Sequence, residues 1–102
     1  MSFVVKRLLE AEADTLEAAA WYDEQQPGLG DRFLDELDEV VAGLSRDAMV
    51  FGVRFRDVRR VNLPTFPYGV FYRVKGGVVE VLAVLHGARH PRVARSRARK
   101  QG

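Results

Sequence analysis

The segment VVEVLAVLH, Val78–His86, constrains the fold more than any other. It is apolar at alternate positions and at most of the positions between. A strand of this kind is buried on both faces and has neighbours on either side, so it reads as the centre of a sheet. It ends abruptly in GARHPR, which brings His86, Arg89, His90 and Arg92 together within seven residues. Either the strand runs out of the core at this point, or its end carries a site.

The partners of that strand are legible nearby. GVFYRV, residues 69–74, is rich in β-branched and aromatic residues, and the KGG that follows is a hairpin turn signal. VRFRDVRRVNL alternates irregularly and precedes PTFPY, a turn with two prolines. Together these segments predict a three-strand meander. The N-terminal residues Phe3, Val4 and Val5 predict a further strand.

Between them lie two helical patterns. EADTLEAAAWYDEQQ, from about Glu12, is composed of good helix formers. Asp14 and Glu17 have capping-box spacing at its start, and Leu16, Ala20 and Trp21 are expected on one face. Pro27, Gly28 and Gly30 break the chain. Phe33, Leu37, Val40, Val41 and Leu44 then recur at the spacing of one helical stripe, with acids on the remaining surface. A short corner between two such patterns predicts an antiparallel helical hairpin.

The expected class is therefore α+β, in the order β-α-α-β-β-β. The helical hairpin packs on one face of a small, mostly antiparallel sheet. The other face is expected to be open, with Arg73, Glu80 and His86 looking outward from it. At 102 residues the chain suits a single domain, taken as residues 1–92 followed by a basic tail at 93–102. The tail is expected to be frayed or a short helical end.

Composition narrows the function. There is no cysteine, which excludes disulfides, thiolate metal sites and a cysteine nucleophile. The N-terminus reads as neither a signal peptide nor a membrane span. Residues 1–50 carry four basic groups against twelve acids, whereas residues 51–102 carry twelve against two. Such a split suggests a basic surface that meets an anionic partner, or two halves that neutralise each other within the fold. His86 and His90 are four apart, but Gly87 and Pro91 argue against the helix that a metal pair at this spacing needs, so no metal is expected. Neither glycine pair has the context of a phosphate-binding loop.

Three stretches, AAAWYDEQQPGLGDRFLDEL, VRRVNLPTFPYGVFYRV and VLAVLHGARHP, resemble the RelE/ParE superfamily of type II toxin–antitoxin toxins, in the family's order. The likeness spans about Phe3 to Arg92. It implies a small cytoplasmic bacterial toxin, of the kind found in plasmid stabilisation modules, that is neutralised by a cognate antitoxin. No cofactor is implied, and no membrane. The family has two main activities on one scaffold, so the fold alone does not choose between them. ParE-like members bind and poison DNA gyrase. RelE-like members cut mRNA on the ribosome.

Metal-independent RNA cleavage needs a base for the 2′-hydroxyl, stabilisation of the phosphorane and an acid for the leaving oxygen. The resemblance offers His86, Arg59, Arg73 and Arg89 for these tasks. Arginine stabilises charge but is a poor base, and no tyrosine follows Tyr72. The set expected of a strong mRNA cutter is thus incomplete. The reading favoured here is ParE-like: growth inhibition by binding gyrase, without catalysis. The alternative is a RelE-like ribosome-dependent endoribonuclease. Arg59, Arg60, Arg73, His86, Arg89 and Arg92 are the expected target-binding residues, and Trp21, Tyr22 and Phe71 the expected antitoxin contacts.

Overall fold

The computed structural model describes residues 2–87 and 92–100. Its elements run β1 (Val4–Arg7), α1 (Leu9–Gln25), α2 (Leu29–Asp47), β2 (Val53–Phe55), β3 (Val58–Asn62), β4 (Tyr68–Lys75), β5 (Val78–His86) and α3 (Arg92–Lys100). The sheet order is β1-β5-β4-β3-β2. β1 lies parallel to β5 and every other pairing is antiparallel, which makes the fold α+β as expected. Val78–His86 is flanked on both sides, by β1 and by β4, as its apolar character requires.

Two elements exceed the expected six. VRFRDVRRVNL is not one strand but the hairpin β2–β3. Its turn uses Arg56 at φ 48°, a left-handed conformation that residues other than glycine rarely adopt. The basic tail forms α3. Ala94 and Ala98, four apart on one side of that helix, are buried against the sheet.

The α1–α2 corner is tight for a visible reason. Gly28 sits at φ 89°. The Gly30 amide donates to Asp23 Oδ1 at 2.7 Å, and a Cβ at Gly30 would collide with the Ala19 carbonyl. The α2 stripe then buries Phe33, Leu37, Val41 and Leu44 as its period predicts, with Val40 half-buried beside them.

α1 differs from expectation. It starts at Leu9, so Asp14 lies within the helix and caps nothing. Its buried side is Ala11, Thr15, Ala18, Ala19 and Tyr22. Small residues let α1 lie close to the sheet, and the larger Leu16 and Trp21 are left outside with Ala20. The Thr15 hydroxyl satisfies itself on the Ala11 carbonyl at 2.8 Å.

The sheet has two cores rather than one. Val70, Tyr72, Val79, Val81 and Val84 pack under the helical hairpin. Val58, Phe71, Leu82, Ala83 and Leu85 pack on the other face, with Ala94 and Ala98 of α3. That face is therefore covered, and the expectation of an open face with Arg73 and Glu80 looking outward fails. A β-bulge sets the division. Phe71 pairs with Ala83 while Tyr72 pairs with Val81, so Leu82 is an extra residue in β5. Beyond it, the alternation reverses. Glu80 lies on the α3 face, whereas Val84 and His86 lie on the hairpin face.

Tyr72 joins the hairpin core to the chain beyond α2. Fully buried, its hydroxyl donates to the Ala48 carbonyl at 2.6 Å. Burial pushes its pKa up to about 12, against a small opposing pull from Arg59. The unfolded phenol titrates near 10. The unfolded state therefore loses its proton first, and stability is complete below pH 10 and falls between 10 and 12. We expect Tyr72→Phe to cost about 1 kcal/mol at neutral pH and to flatten this alkaline decline, as chemical denaturation at pH 7 to 11 would show.

Candidate functional site

The ends of β4 and β5 carry two clefts on opposite faces of the sheet. They share Pro67 and Tyr68, from the turn before β4 and from its first residue. That turn is fastened by Glu36 of α2. Its Oε2 accepts the Thr65 amide at 2.9 Å and the Phe66 amide at 3.1 Å. Gly87 at the end of β5 donates to the Pro67 carbonyl at 2.7 Å and closes the turn onto the strand.

The first cleft, about 570 Å³, lies between α1 and β5 on the hairpin face. Trp21, Tyr22, Tyr68 and Val84 form its apolar wall, Asp14 and Glu17 its acidic rim, and His86 its far end. Behind the wall stands an aromatic cluster. Tyr22 meets Phe33, Phe66 and Tyr68 at centroid distances of 5.4, 4.9 and 6.1 Å. The cluster surrounds the Tyr22 ring. Burial raises its pKa, and Tyr68 raises it further, so the hydroxyl stays neutral. The His86 ring packs edge-on against Tyr68 at 5.4 Å.

The second cleft, about 360 Å³, opens on the α3 face. Its cation is Arg60, which lies across the sheet. The guanidinium sits 5.1 Å from the Phe71 ring centroid, and Nε donates to Asn62 Oδ1 at 2.7 Å. Gly69 makes room for it: a Cβ there would run into the Arg60 side chain. Burial lowers the Arg60 pKa, and the charge of Arg54 lowers it further. Both causes disfavour the cation as it stands, and the attraction of an anion in this cleft would offset them.

Among the described residues, Arg59, Arg60, Arg73 and His86 do not gather into one constellation. Arg59 on β3 donates to the Phe51 carbonyl at 2.6 Å and to the Met49 carbonyl at 3.3 Å, fastening the α2–β2 connection. Arg73 on β4 is only 3% exposed, paired with Glu80 at 2.9 Å and donating to the Ala98 carbonyl at 3.0 Å. His86 and Arg60 line clefts on opposite faces. Arg92 is exposed at the start of α3, and Arg89 lies outside the described residues, as does His90. Of the expected antitoxin contacts, Trp21 is 54% exposed, whereas Tyr22 and Phe71 are buried. No group of three or more His, Cys, Asp or Glu side chains able to hold a metal occurs among the described residues.

One exposed feature was read only in part in the sequence, where Leu16 and Ala20 share a face but its extent and exposure do not show. Leu9, Ala13, Leu16 and Ala20 recur at helical spacing along the outer side of α1, with Leu9 80% and Leu16 67% exposed. Their period was readable. What hid the stripe is that α1 carries apolar residues on its buried side as well.

Residues 5–91 match the family model for the ParE toxin of the type II toxin–antitoxin system parDE, and the chain belongs to that family. Toxin ParE2 of Mycobacterium tuberculosis is 31% identical over 81 residues, which is 78% of this chain and 77% of the relative. Among solved structures, a chain of the chromosomal ParDE system from P. aeruginosa overlays with a TM-score of 0.76 at 21% identity, covering 83% of this chain and 96% of that one. A chain of the RelBE2 toxin–antitoxin complex of M. tuberculosis gives 0.62 at 22% identity, covering 84% and 99%. A mutant of the E. coli toxin RelE in its free state gives 0.67 at 17% identity, covering 99% and 98%. These likenesses show the shared fold.

The Glu36 clamp makes the site sensitive to acid. Burial pushes its carboxyl up, but the amides of Thr65 and Phe66 and the Thr65 hydroxyl outweigh this, so the pKa is lowered from the ordinary 4.5. The clamp is complete above that value and is lost as pH falls through the lowered pKa. Glu36→Gln is expected to be less stable than the parent at pH 7, with the gap closing on acidification to pH 3. Thermal unfolding across that range measures it.

Proposed function

We propose that this ParE-family toxin arrests growth by binding DNA gyrase in the cytoplasm, without catalysis of its own, and is neutralised by a cognate antitoxin. The observation that carries the reading is the employment of Arg59 and Arg73. A nuclease of this scaffold would need them at a scissile phosphate, and here both hold the fold together, Arg73 beneath α3. Of the other candidates among the described residues, Arg60 and His86 face different clefts. An arrangement of this kind suits a binding surface better than acid–base chemistry, which requires groups that converge on one atom.

The antitoxin reading rests on two further supports. The solved relatives include ParDE and RelBE2 toxin–antitoxin assemblies. The outer stripe of α1 and the Trp21 cleft expose the apolar side chains of Leu9, Leu16 and Trp21, with the acids Glu10, Asp14 and Glu17 on the same helix. An amphipathic antitoxin segment with basic residues along its edges complements both the groove and its rim. Leu16→Glu, at an exposed position, is expected to leave the fold intact and to weaken antitoxin binding by about 2 kcal/mol, roughly thirtyfold in Kd. Titration with the product of the neighbouring small gene measures it. Undiminished binding would move the interface elsewhere.

A second reading, ribosome-dependent mRNA cleavage, is favoured by one observation. The half-buried Arg60 cation, in its own cleft, is disfavoured by burial and by Arg54 and would welcome a phosphate. Pulse labelling after induction in growing bacteria separates the two. Failure of DNA synthesis before protein synthesis is the expected result. The reverse order would support cleavage, and His86→Gln would then be expected to abolish it.

A further inference from the structure

A third cavity lies away from both clefts, between the β2–β3 turn, β4 and α3, and measures about 450 Å³. Four arginines line it, Arg56, Arg73, Arg95 and Arg99, against a single acid, Asp57. The cations reach it from three directions: Arg56 from the hairpin turn, Arg73 from the sheet beneath, and Arg95 with Arg99 from α3. Arg95 is steadied by the Phe55 ring, 5.0 Å away. Like charges brought around one void repel unless something of opposite sign stands between them.

Arg73 supplies the second observation. Its side chain is buried and its donors are accounted for one by one. Nε donates to Glu80 and Nη1 to the Ala98 carbonyl. Nη2 is buried and has no partner among the described residues. A buried charged donor left without an acceptor is rare and costly, and calls for an explanation. Glu80, already paired, neutralises Arg73 only in part.

We propose that this cavity is an anion site that takes a phosphate group, either as the free ion or as a terminal phosphate ester. A carboxylate presents two oxygens in one plane and satisfies one guanidinium fork. A phosphate presents at least three acceptor oxygens and close to two charges, which suits donors arriving from the hairpin turn and from α3. Its oxygens bridge Arg99 on α3 to Arg56 on the hairpin turn, and its charge offsets that of Arg73 beneath, whose buried Nη2 it does not touch. The bound anion thereby fastens α3 to the sheet. The site is separate from the Arg60 cleft and depends on neither the gyrase nor the antitoxin reading.

Calorimetric titration of the full chain with inorganic phosphate, at ionic strength held constant with sodium chloride, tests it. Saturable binding is expected, together with a rise in Tm on adding phosphate, since the ligand fits only the folded state. Arg99→Gln and Arg56→Gln, both at exposed positions, are each expected to weaken binding about tenfold. Arg54→Gln removes an equal charge from β2 outside the cavity and is expected to change the affinity less than about twofold. Titration with a nucleoside 5′-monophosphate and with its unphosphorylated nucleoside distinguishes the sources. Binding of the monophosphate at least as tightly as of inorganic phosphate assigns an ester, and binding of inorganic phosphate alone assigns the free ion. Absence of saturable phosphate binding would overturn the proposal. So would an equal loss in Arg54→Gln, which would reduce the effect to general charge.

Discussion

The architecture depends on one carboxylate. Asp14, in the middle of α1, accepts the Val84 amide at 2.9 Å and grips Arg97 of α3 through both its oxygens, at 2.6 and 3.1 Å. Arg97 also donates to the Leu82 carbonyl at 3.1 Å. These contacts fall where β5 has lost its neighbour. β1 pairs only as far as Val81, whose carbonyl takes the Leu8 amide, and the chain then turns away into α1. The rest of that edge would be an unpaired strand border, a template for unwanted pairing. An acid from one helix and a base from another supply the missing donor and acceptor. The same residues flank the bulge at Leu82 that assigns each apolar side chain of β5 to one core or the other.

That arrangement changes the meaning of the charge split between the two halves of the chain. One ion pair crosses it, Arg97 of the second half with Asp14 of the first, whereas Arg7–Asp38 and Arg73–Glu80 each lie within one half. Arg59 is taken up by backbone carbonyls. Four of the other arginines fall into two groups. Arg60 stands at the strand ends, and Arg56, Arg95 and Arg99 surround the cavity under α3. The basic half is thus a set of separate local fields, each with its own geometry.

The legible parts of the sequence were those with a clean period or a run too long to mistake. The α2 stripe and the two-faced apolar run of β5 belong here, and with them the hairpin, the sheet and the family. The α1 face was misread because its buried side is built from alanines, which carry little contrast, while Leu9 and Leu16 point outward. The β2–β3 turn was missed because a left-handed Arg56 leaves none of the usual glycine or asparagine signal. The bulge at Leu82 leaves no compositional trace, and it alone moved His86 from one face to the other. The candidate arginines shared the same difficulty. Arg59, Arg60 and Arg73 are close in sequence and alike in chemistry, and only the register decides which is buried under α3 and which lies in a cleft. The α3 helix was within reach: Ala94 and Ala98 lie four apart in an otherwise charged run.

The parallel pairing of β1 with β5 has a consequence for how the chain is made. Val4–Arg7, the first element, has its hydrogen-bonding partner in Val78–Val81, and the Asp14–Arg97 grip spans 83 residues. Contacts so distant in sequence form late, after the cost of closing the intervening chain has been met. A chain still emerging from the ribosome holds two helices with no sheet to lie on. The structure assembles only after β5 and α3 have left the ribosome, since a chain cut short before them lacks the partners of both β1 and Asp14.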